Sequence, residues 1–87
     1  MKKILYFHQR FCPFCVAANR YLADLIAENP VYGKIEIEKI DENKEWDRAN
    51  RYDYWYVPTF YVDGKKLHEG ALSKGKLREV LDAALED

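Results

Sequence analysis

Two cysteines stand three positions apart near the start of the chain, and they are the only thiols among its 87 residues. The run Cys12-Pro13-Phe14-Cys15 brings two sulfur atoms within reach of each other when it lies on one helical turn. A dithiol at this spacing can bind a metal, close a small disulfide, or react with the disulfides of other molecules. The elements that hold the cysteines decide between these chemistries.

The residues around the cysteines predict a strand that leads into a helix. Lys3 to His8 is a short apolar run typical of a buried strand. Pro13 suits the first helical position, because a residue there needs no partner for a backbone N–H. Cys12 then lies at the N-cap, where free N–H groups and the helix dipole stabilise a thiolate. We therefore predict that the Cys12 thiolate attacks disulfides and that Cys15, one turn further on, resolves the mixed disulfide.

The chain after the cysteines predicts the rest of a helix, a strand and a second helix. The apolar positions of the first helix recur at helical spacing, at Val16, Leu22, Leu25 and Ile26. Asn29-Pro30 is expected to end this helix. Alternating charged and apolar residues from Lys34 to Ile40 predict a half-buried strand. A second helix is expected to be capped by Asp41 or Asn43 and to run to about Tyr52.

The last part of the chain predicts a hairpin and a third helix. Strand-forming residues fill Thr59 to Val62 and Lys65 to Glu69, and Asp63-Gly64 between them suits a two-residue turn. Ser73 is expected to cap the final helix. The apolar positions of that helix are Leu77, Val80, Leu81, Ala84 and Leu85.

Together these elements predict one α/β domain over residues 1–87, in the order β-α-β-α-β-β-α. A β-α-β crossover pairs its strands in parallel, and a hairpin pairs them antiparallel. We therefore predict a four-stranded mixed sheet flanked by three helices that cover both faces. The chain is 48 % hydrophobic and includes seven tyrosines, four phenylalanines and two tryptophans, which is enough for a core at this length.

Charge and hydropathy argue against several classes of partner. The formal net charge is −1 with both signs well mixed, so we expect no nucleic-acid partner. No apolar run approaches the ~20 residues that span a bilayer, and the N-terminus lacks a signal-peptide cleavage site, so we expect no membrane association. The expected setting is a cytoplasmic monomer, where a structural disulfide between Cys12 and Cys15 would not persist.

A zinc site is one alternative use of the thiols. Cys12 and Cys15 would need two further ligands, and the histidines of the sequence are His8 and His68. A structural zinc site usually has a second paired-ligand motif, so a reactive dithiol is favoured. His8, which ends the first strand, can instead tune Cys12, shuttle a proton or serve only the structure.

Pro58 is the second motif, because it stands directly before the hairpin, where a strand can begin with proline. The strand, the Cys-Pro-Phe-Cys run at a helix start, the Val-Pro-Thr run before a hairpin and the final helix resemble the thioredoxin-fold family over essentially the whole chain. The Cys-Pro-Phe-Cys run and the short length resemble glutaredoxins in particular. The resemblance implies a thiol–disulfide oxidoreductase that acts on disulfide-containing proteins or small disulfides. It also implies glutathione as a possible co-substrate and no permanently bound cofactor.

The resemblance assigns roles to residues outside the dithiol. Val57-Pro58 would be the cis-proline dipeptide of the family, whose backbone pairs with bound substrate like an added strand. Arg10 stands near the position where glutaredoxins often carry a basic residue that meets a glutathione carboxylate. The predicted substrate-binding residues are Arg10, Pro13, Phe14, Tyr56, Val57, Pro58, Gly70 and Ala71.

Some residues depart from the glutaredoxin pattern and resemble thioredoxins. Glutaredoxins usually carry Gly-Gly and then an acidic pair after the hairpin, whereas this chain has Gly70-Ala71 and no acidic pair. Thr59 is also thioredoxin-like, although the thioredoxin run Trp-Cys-Gly-Pro-Cys is absent and Phe11 precedes the dithiol. Two alternatives follow. One is a thioredoxin-like electron donor that a thioredoxin reductase reduces, and the other is an iron–sulfur or metal binding module in which Cys12 of two subunits shares a cluster.

Aromatic residues are concentrated before Pro58, and they have two possible roles. They either form a wall that selects apolar or peptide substrates or pack at the junction between helix and strand. Packing is favoured for Tyr52, and either role suits Trp55 and Tyr56. Trp46 is expected to pack against its helix.

Overall fold

The computed structural model describes residues 1–86 and contains four strands and three α-helices in the predicted order. The strands are β1 (Ile4–His8), β2 (Ile37–Asp41), β3 (Thr59–Val62) and β4 (Lys65–Glu69). The helices are α1 (Pro13–Glu28), α2 (Trp46–Ala49) and α3 (Lys74–Leu85). A 3₁₀ helix over Pro30–Lys34 joins α1 to β2. The predicted domain also includes Asp87, which lies outside the described residues.

The sheet has the strand order β2-β1-β3-β4, so β1 and β3 are its central strands. β1 pairs in parallel with β2 and antiparallel with β3, and β3 pairs antiparallel with β4. The β3–β4 turn has positive φ at both residues, 51° at Asp63 and 82° at Gly64. Glycine and aspartate tolerate this left-handed region better than most residues do. The predicted four-stranded mixed sheet and its hairpin are therefore confirmed.

Each face of the sheet has its own apolar core. Because side chains alternate along a strand, Tyr6 points to one face and Phe7 to the other. The Tyr6 face is covered by α1 and α3. The Phe7 face is covered by α2 and by the aromatic segment before β3. Both central strands are thus buried on both sides, as their apolar composition predicts.

The first helix begins and ends where the sequence predicts, but one of its apolar positions was assigned to the wrong face. Cys15, Ala18 and Leu25 are buried, whereas Val16 is 57 % exposed. A helix turns by about 100° per residue, so the position after Cys15 is rotated away from the sheet. The prediction that Val16 belongs to the buried stripe is therefore wrong.

The second strand and the second helix are shorter than predicted. β2 begins at Ile37 rather than Lys34, because Pro30–Lys34 forms the 3₁₀ helix and leaves fewer residues for the strand. The residue Asp41 ends β2 instead of capping a helix, and its side chain accepts a hydrogen bond from the Asn43 backbone N–H at 3.0 Å. That contact forms a local turn and delays the helix.

Helix α2 is a single turn that buries one residue. Its N-cap is Glu45, and Ala49 is its buried member. Asn50, a poor helix former, follows Ala49 as the C-cap, so the helix ends before Tyr52. Trp46, expected to pack, is instead 65 % exposed. That expectation was wrong because a one-turn helix has too few buried positions to cover an indole.

Replacing Leu25 with alanine tests the inner face of α1. Leu25 is fully buried in the core between α1, α3 and the sheet, so Leu25→Ala should lower the free energy of unfolding by about 2–5 kcal/mol. Val16→Ala on the same helix is the matched control and should change it by no more than about 0.5 kcal/mol. Chemical denaturation followed by circular dichroism measures both values. Equal losses in the two variants would contradict the assignment of the buried face.

Candidate active site

The pairing of the two central strands brings the cysteines next to the proline. β1 ends near Phe7, which lies opposite Thr59 at the start of β3. The segment that follows β1 and the segment that precedes β3 therefore meet at the same end of the sheet. Cys12 lies in the first segment and Val57-Pro58 in the second. The Val57-Pro58 peptide bond is cis, as the resemblance implies.

Cys12 is the more accessible of the two thiols. It is half-buried and occupies the N-cap of α1, with Pro13 as the first helical residue. Its carbonyl accepts the Val16 N–H at 2.9 Å, which starts the helical ladder. Its Sγ lies 4.0 Å from the carbonyl oxygen of Val57, within reach of a weak thiol hydrogen bond. Cys12 thus occupies the predicted N-cap with its sulfur close to the backbone of Val57.

Cys15 lies behind Cys12 and is only 1 % exposed. Burial raises the pKa of the Cys15 thiol to about 12, although a backbone hydrogen bond from Gln9 opposes the shift. Cys15 follows Cys12 by three positions in the first turn of α1, and both residues are free thiols. The pair therefore combines an accessible thiol with a buried one that keeps its proton near neutral pH. This arrangement suits the predicted division between an attacking and a resolving cysteine.

Tyr6 fixes the first turn of α1 to the sheet. Its hydroxyl donates to Asn19 Oδ1 at 2.8 Å and approaches the Cys15 carbonyl at 3.3 Å. Its ring stacks on Phe60 with the centroids 4.5 Å apart. Burial raises the pKa of Tyr6, so the hydroxyl stays neutral and keeps donating. Sequence reasoning missed this role, because a tyrosine in a buried strand has the same pattern as any core residue.

Glu69 holds the segment that precedes Pro58. Its Oε2 accepts the backbone N–H groups of Trp55 at 2.6 Å and Tyr56 at 3.1 Å. Its Oε1 accepts Lys66 Nζ at 2.7 Å, and Lys66 also donates to the Asp53 carbonyl at 3.0 Å. The hydrogen bonds from Lys66 and from the two N–H groups lower the pKa of Glu69 to about 2. Sequence reasoning missed this role, although an acidic residue directly before Gly70 was a signal for it.

Gly70 contacts the proline through its backbone, and a role for Gly70 and Ala71 in binding substrate stays a prediction. Gly70 has a φ of 89°, in the left-handed region that favours glycine. Its N–H donates to the Pro58 carbonyl at 2.8 Å. His68 Nε2 lies 3.0 Å from the carbonyl oxygens of both Gly70 and Ala71. The turn after β4 is thereby attached to the start of β3.

Large exposed apolar side chains flank the dithiol. We call this set the aromatic rim, and its members are Phe11, Phe14, Trp55 and Tyr56, which are 83, 56, 86 and 71 % exposed. Arg10 is also exposed, and its guanidinium lies over the Phe11 ring, 5.1 Å from the centroid. A role for Arg10 in binding an anion stays a prediction. The rim gives the groove around Cys12 an apolar border.

The aromatic residues before Pro58 divide into a packed pair and an exposed pair. Tyr52 and Tyr54 each contact the Phe7 ring with the centroids 4.9 Å apart. The predicted packing role of Tyr52 is therefore confirmed. Trp55 and Tyr56 are exposed and remain available for a partner.

The histidines do not join the cysteines in a metal site. Among residues 1–86, no group of three or more His, Cys, Asp or Glu side chains is placed to hold a metal ion. His8 ends β1, and His68 lies on β4, on the far side of β3. Burial is the main cause that lowers the pKa of His8, so its ring is neutral near neutral pH. None of the helices in this part of the chain has the length and apolar character to cross a membrane.

Comparisons with known proteins agree with this geometry. Residues 2–82 match a family model described as a thioredoxin domain. The chain belongs to the thioredoxin family. It is 34 % identical over 86 residues to "Thioredoxin Y, chloroplastic" of Oryza sativa subsp. japonica, a match that covers 92 % of this chain and 49 % of the rice protein. It is also 31 % identical over 83 residues to the thioredoxin of Methanocaldococcus jannaschii, which covers 95 % of both chains.

Solved structures place the fold in the same family. The thioredoxin of Fasciola hepatica superposes with a TM-score of 0.70 at 25 % identity, over 95 % of this chain and 80 % of that one. The thioredoxin-like fold and the prediction of a thiol–disulfide oxidoreductase are confirmed at the level of the family. The comparisons do not support the glutaredoxin subtype, and they agree better with the thioredoxin alternative.

The difference in burial between the two cysteines predicts ordered alkylation. Iodoacetamide near neutral pH should modify Cys12 at least about tenfold faster than Cys15, because the buried Cys15 thiol is protonated and shielded. Peptide mass spectrometry of a time course measures both rates. In denaturant the two rates should converge, which is the control for intrinsic reactivity. Equal rates in the folded protein would contradict the assignment.

The Glu69 contacts predict a pH-dependent loosening of the segment that contains Trp55. The folded pKa of about 2 lies below the ordinary 4.5, so the stabilisation is complete above about pH 4.5 and is lost as the pH falls toward about 2. In a Trp46→Phe background, Trp55 fluorescence should report that transition. Glu69→Gln should remove or shift it, while circular dichroism follows the overall fold. An unchanged fluorescence transition in Glu69→Gln would contradict the role of the carboxylate.

Proposed function

We propose that this protein is a thioredoxin-type electron donor that reduces disulfides with Cys12 and Cys15 and is itself reduced by a thioredoxin reductase. The observation that carries the proposal is the half-buried Cys12 at a helix start, three positions before the buried Cys15 and 4.0 Å from the Val57 carbonyl. Family membership supports the same chemistry.

The reaction consists of two exchanges that transfer two electrons. The Cys12 thiolate attacks one sulfur of the substrate disulfide, that S–S bond breaks, and the departing sulfur takes up a proton. Cys15 then loses its proton and attacks the Cys12 sulfur in the mixed disulfide. The Cys12–Cys15 disulfide forms, and the second substrate sulfur leaves as a thiol. The substrate is reduced to two thiols, and the protein dithiol is oxidised.

The groove beside Cys12 suits an extended peptide segment. The Val57 carbonyl lies beside Cys12, where the backbone of a substrate could pair with it as an added strand does. The aromatic rim supplies exposed apolar surface on either side. Glu69 holds the Trp55 and Tyr56 backbone, so this part of the groove is formed before substrate arrives. These features favour disulfide-containing proteins as substrates.

The residues after the hairpin argue against glutathione as the main donor. Where glutaredoxins have an acidic pair, this chain has Ser73, whose hydroxyl accepts the Lys76 N–H at 3.1 Å and caps α3. The nearby carboxylate of Glu69 already accepts hydrogen bonds from Lys66 and the rim backbone. An incoming ammonium group would therefore compete with Lys66. A cytoplasmic location and a monomeric state stay predictions.

The donor is tested by reducing the oxidised protein in two parallel assays. We expect rapid reduction by NADPH with a thioredoxin reductase and slow reduction by glutathione, because the acidic pair that glutaredoxins carry after the hairpin is missing. Insulin reduction and the thiol content of the protein measure the two rates. Reduction by glutathione alone would overturn the choice of donor and restore the glutaredoxin alternative.

Substitution of each cysteine separates the chemistry from the donor. Cys12→Ser should abolish disulfide reduction with either donor, whereas Cys15→Ser should accumulate a mixed disulfide on Cys12. Activity in Cys12→Ser would overturn the oxidoreductase mechanism. Colour and metal content of protein purified without oxygen address the iron–sulfur alternative, which a colourless, metal-free, reducible protein would contradict.

A further inference from the structure

A cavity of about 460 Å³ lies between α2 and the segment that precedes Pro58. We call it the tryptophan cavity. The lining residues that matter to its chemistry are Trp46, Tyr52, Tyr54, Trp55, Glu42 and Asp53. Of these side chains, the proposed function uses only that of Trp55, as a member of the aromatic rim.

Four of the residues that line the cavity are aromatic: Trp46, Tyr52, Tyr54 and Trp55. Tyr52 and Tyr54 are fixed in place by their contacts with Phe7. Trp46 and Trp55 are 65 % and 86 % exposed, so their indole rings are open to a partner. Exposed tryptophans of this kind are enriched where proteins bind other molecules.

The charged residues that line the tryptophan cavity are both acidic. Glu42 accepts a hydrogen bond from the Tyr54 hydroxyl at 2.8 Å and another from the Gln9 side chain. The recorded hydrogen bonds of Asp53 go to its backbone carbonyl, from Tyr61 and Lys66. Among the described residues that line the cavity there is no lysine or arginine. The lining of the cavity thus combines aromatic side chains with two acidic ones.

The tryptophan cavity adjoins the groove of the dithiol. Gln9, which bonds to Glu42 through its side chain, accepts the Cys12 N–H through its carbonyl at 3.5 Å. On the other side, Trp55 stands two positions before Val57, whose carbonyl faces Cys12. A peptide that lies against Val57 can therefore place a neighbouring side chain in the cavity.

We propose that the tryptophan cavity binds a lysine or arginine side chain of the substrate, close to the cysteine that Cys12 attacks. A cation gains from the faces of tryptophan and tyrosine and from the two carboxylates. An apolar side chain would instead bury the negative charges of Glu42 and Asp53 without adding an opposite charge. Arginine should bind better than lysine, because its planar group stacks on indole and is more weakly hydrated than an ammonium group. The proposal rests on the proposed function, since it specifies the substrate of the same site.

The experiment compares peptides that differ at one residue beside a disulfide-bonded cysteine. The residue is arginine, glutamine or glutamate, placed first before and then after the cysteine. Single-turnover reduction by the reduced protein gives a second-order rate constant without any donor enzyme. The arginine peptide should react about threefold to tenfold faster than the glutamine peptide in one of the two placements. The glutamate peptide should react more slowly than the glutamine peptide.

Variants of the cavity assign the preference to its walls. Trp46→Ala and Asp53→Asn should each reduce the ratio of the arginine rate constant to the glutamine one, and Trp46→Phe should keep part of it. Asp47→Asn is the matched control for Asp53→Asn. It removes the same charge from a residue of α2 that does not line the cavity. Thermal unfolding checks that each variant remains folded.

The outcomes separate this inference from the proposed function. If the wild-type protein fails to reduce the glutamine peptide, the proposed function itself fails. If it reduces all three peptides at the same rate constant, the proposed function stands and the cavity proposal is overturned. A preference for arginine that survives in both Trp46→Ala and Asp53→Asn also overturns it, because the cation would then bind elsewhere.

Discussion

The antiparallel pairing of β1 with β3 is the constraint on which the rest of the site depends. The pairing sets Phe7 opposite Thr59 and so brings the end of one strand to the start of the other. Cys12 and Val57-Pro58 are far apart in the chain, yet they meet because each lies just outside this paired region. Both strands are central and buried on two faces, so the pairing cannot shift by one residue without turning core side chains outward.

A difference in burial within one helical turn gives the two thiols separate chemistry. Cys12 stands at the N-cap with access to the groove, and Cys15 lies on the inner face beneath it. Tyr6 holds that turn against the sheet through Asn19 and the Cys15 carbonyl, so the depth of Cys15 is set by the core. The core on the Tyr6 face therefore contributes directly to the order of the two exchange steps.

The segment between α2 and β3 connects the aromatic rim to the core on the Phe7 face of the sheet. Tyr52 and Tyr54 anchor it to Phe7, and Glu69 holds the Trp55 backbone from β4. With both attachments in place, the exposed indole stands between the dithiol groove and the tryptophan cavity. The dithiol groove and the tryptophan cavity, the two binding surfaces proposed above, therefore adjoin each other.

Local pattern in the sequence was enough to predict the dithiol at a helix start, the hairpin turn at Asp63-Gly64 and the order of the elements, because each depends on residues that are close in the chain. Resemblance to a family added the cis proline. The length of α2, the exposure of Trp46 and the role of Glu69 depended on tertiary structure. The exposure of Trp46 depends on which face the single turn of α2 presents to the core. The role of Glu69 depends on its carboxylate reaching the backbone N–H groups of Trp55 and Tyr56 from the neighbouring strand. The sequence thus determined the reactive chemistry, and packing between distant segments decided what surrounds it.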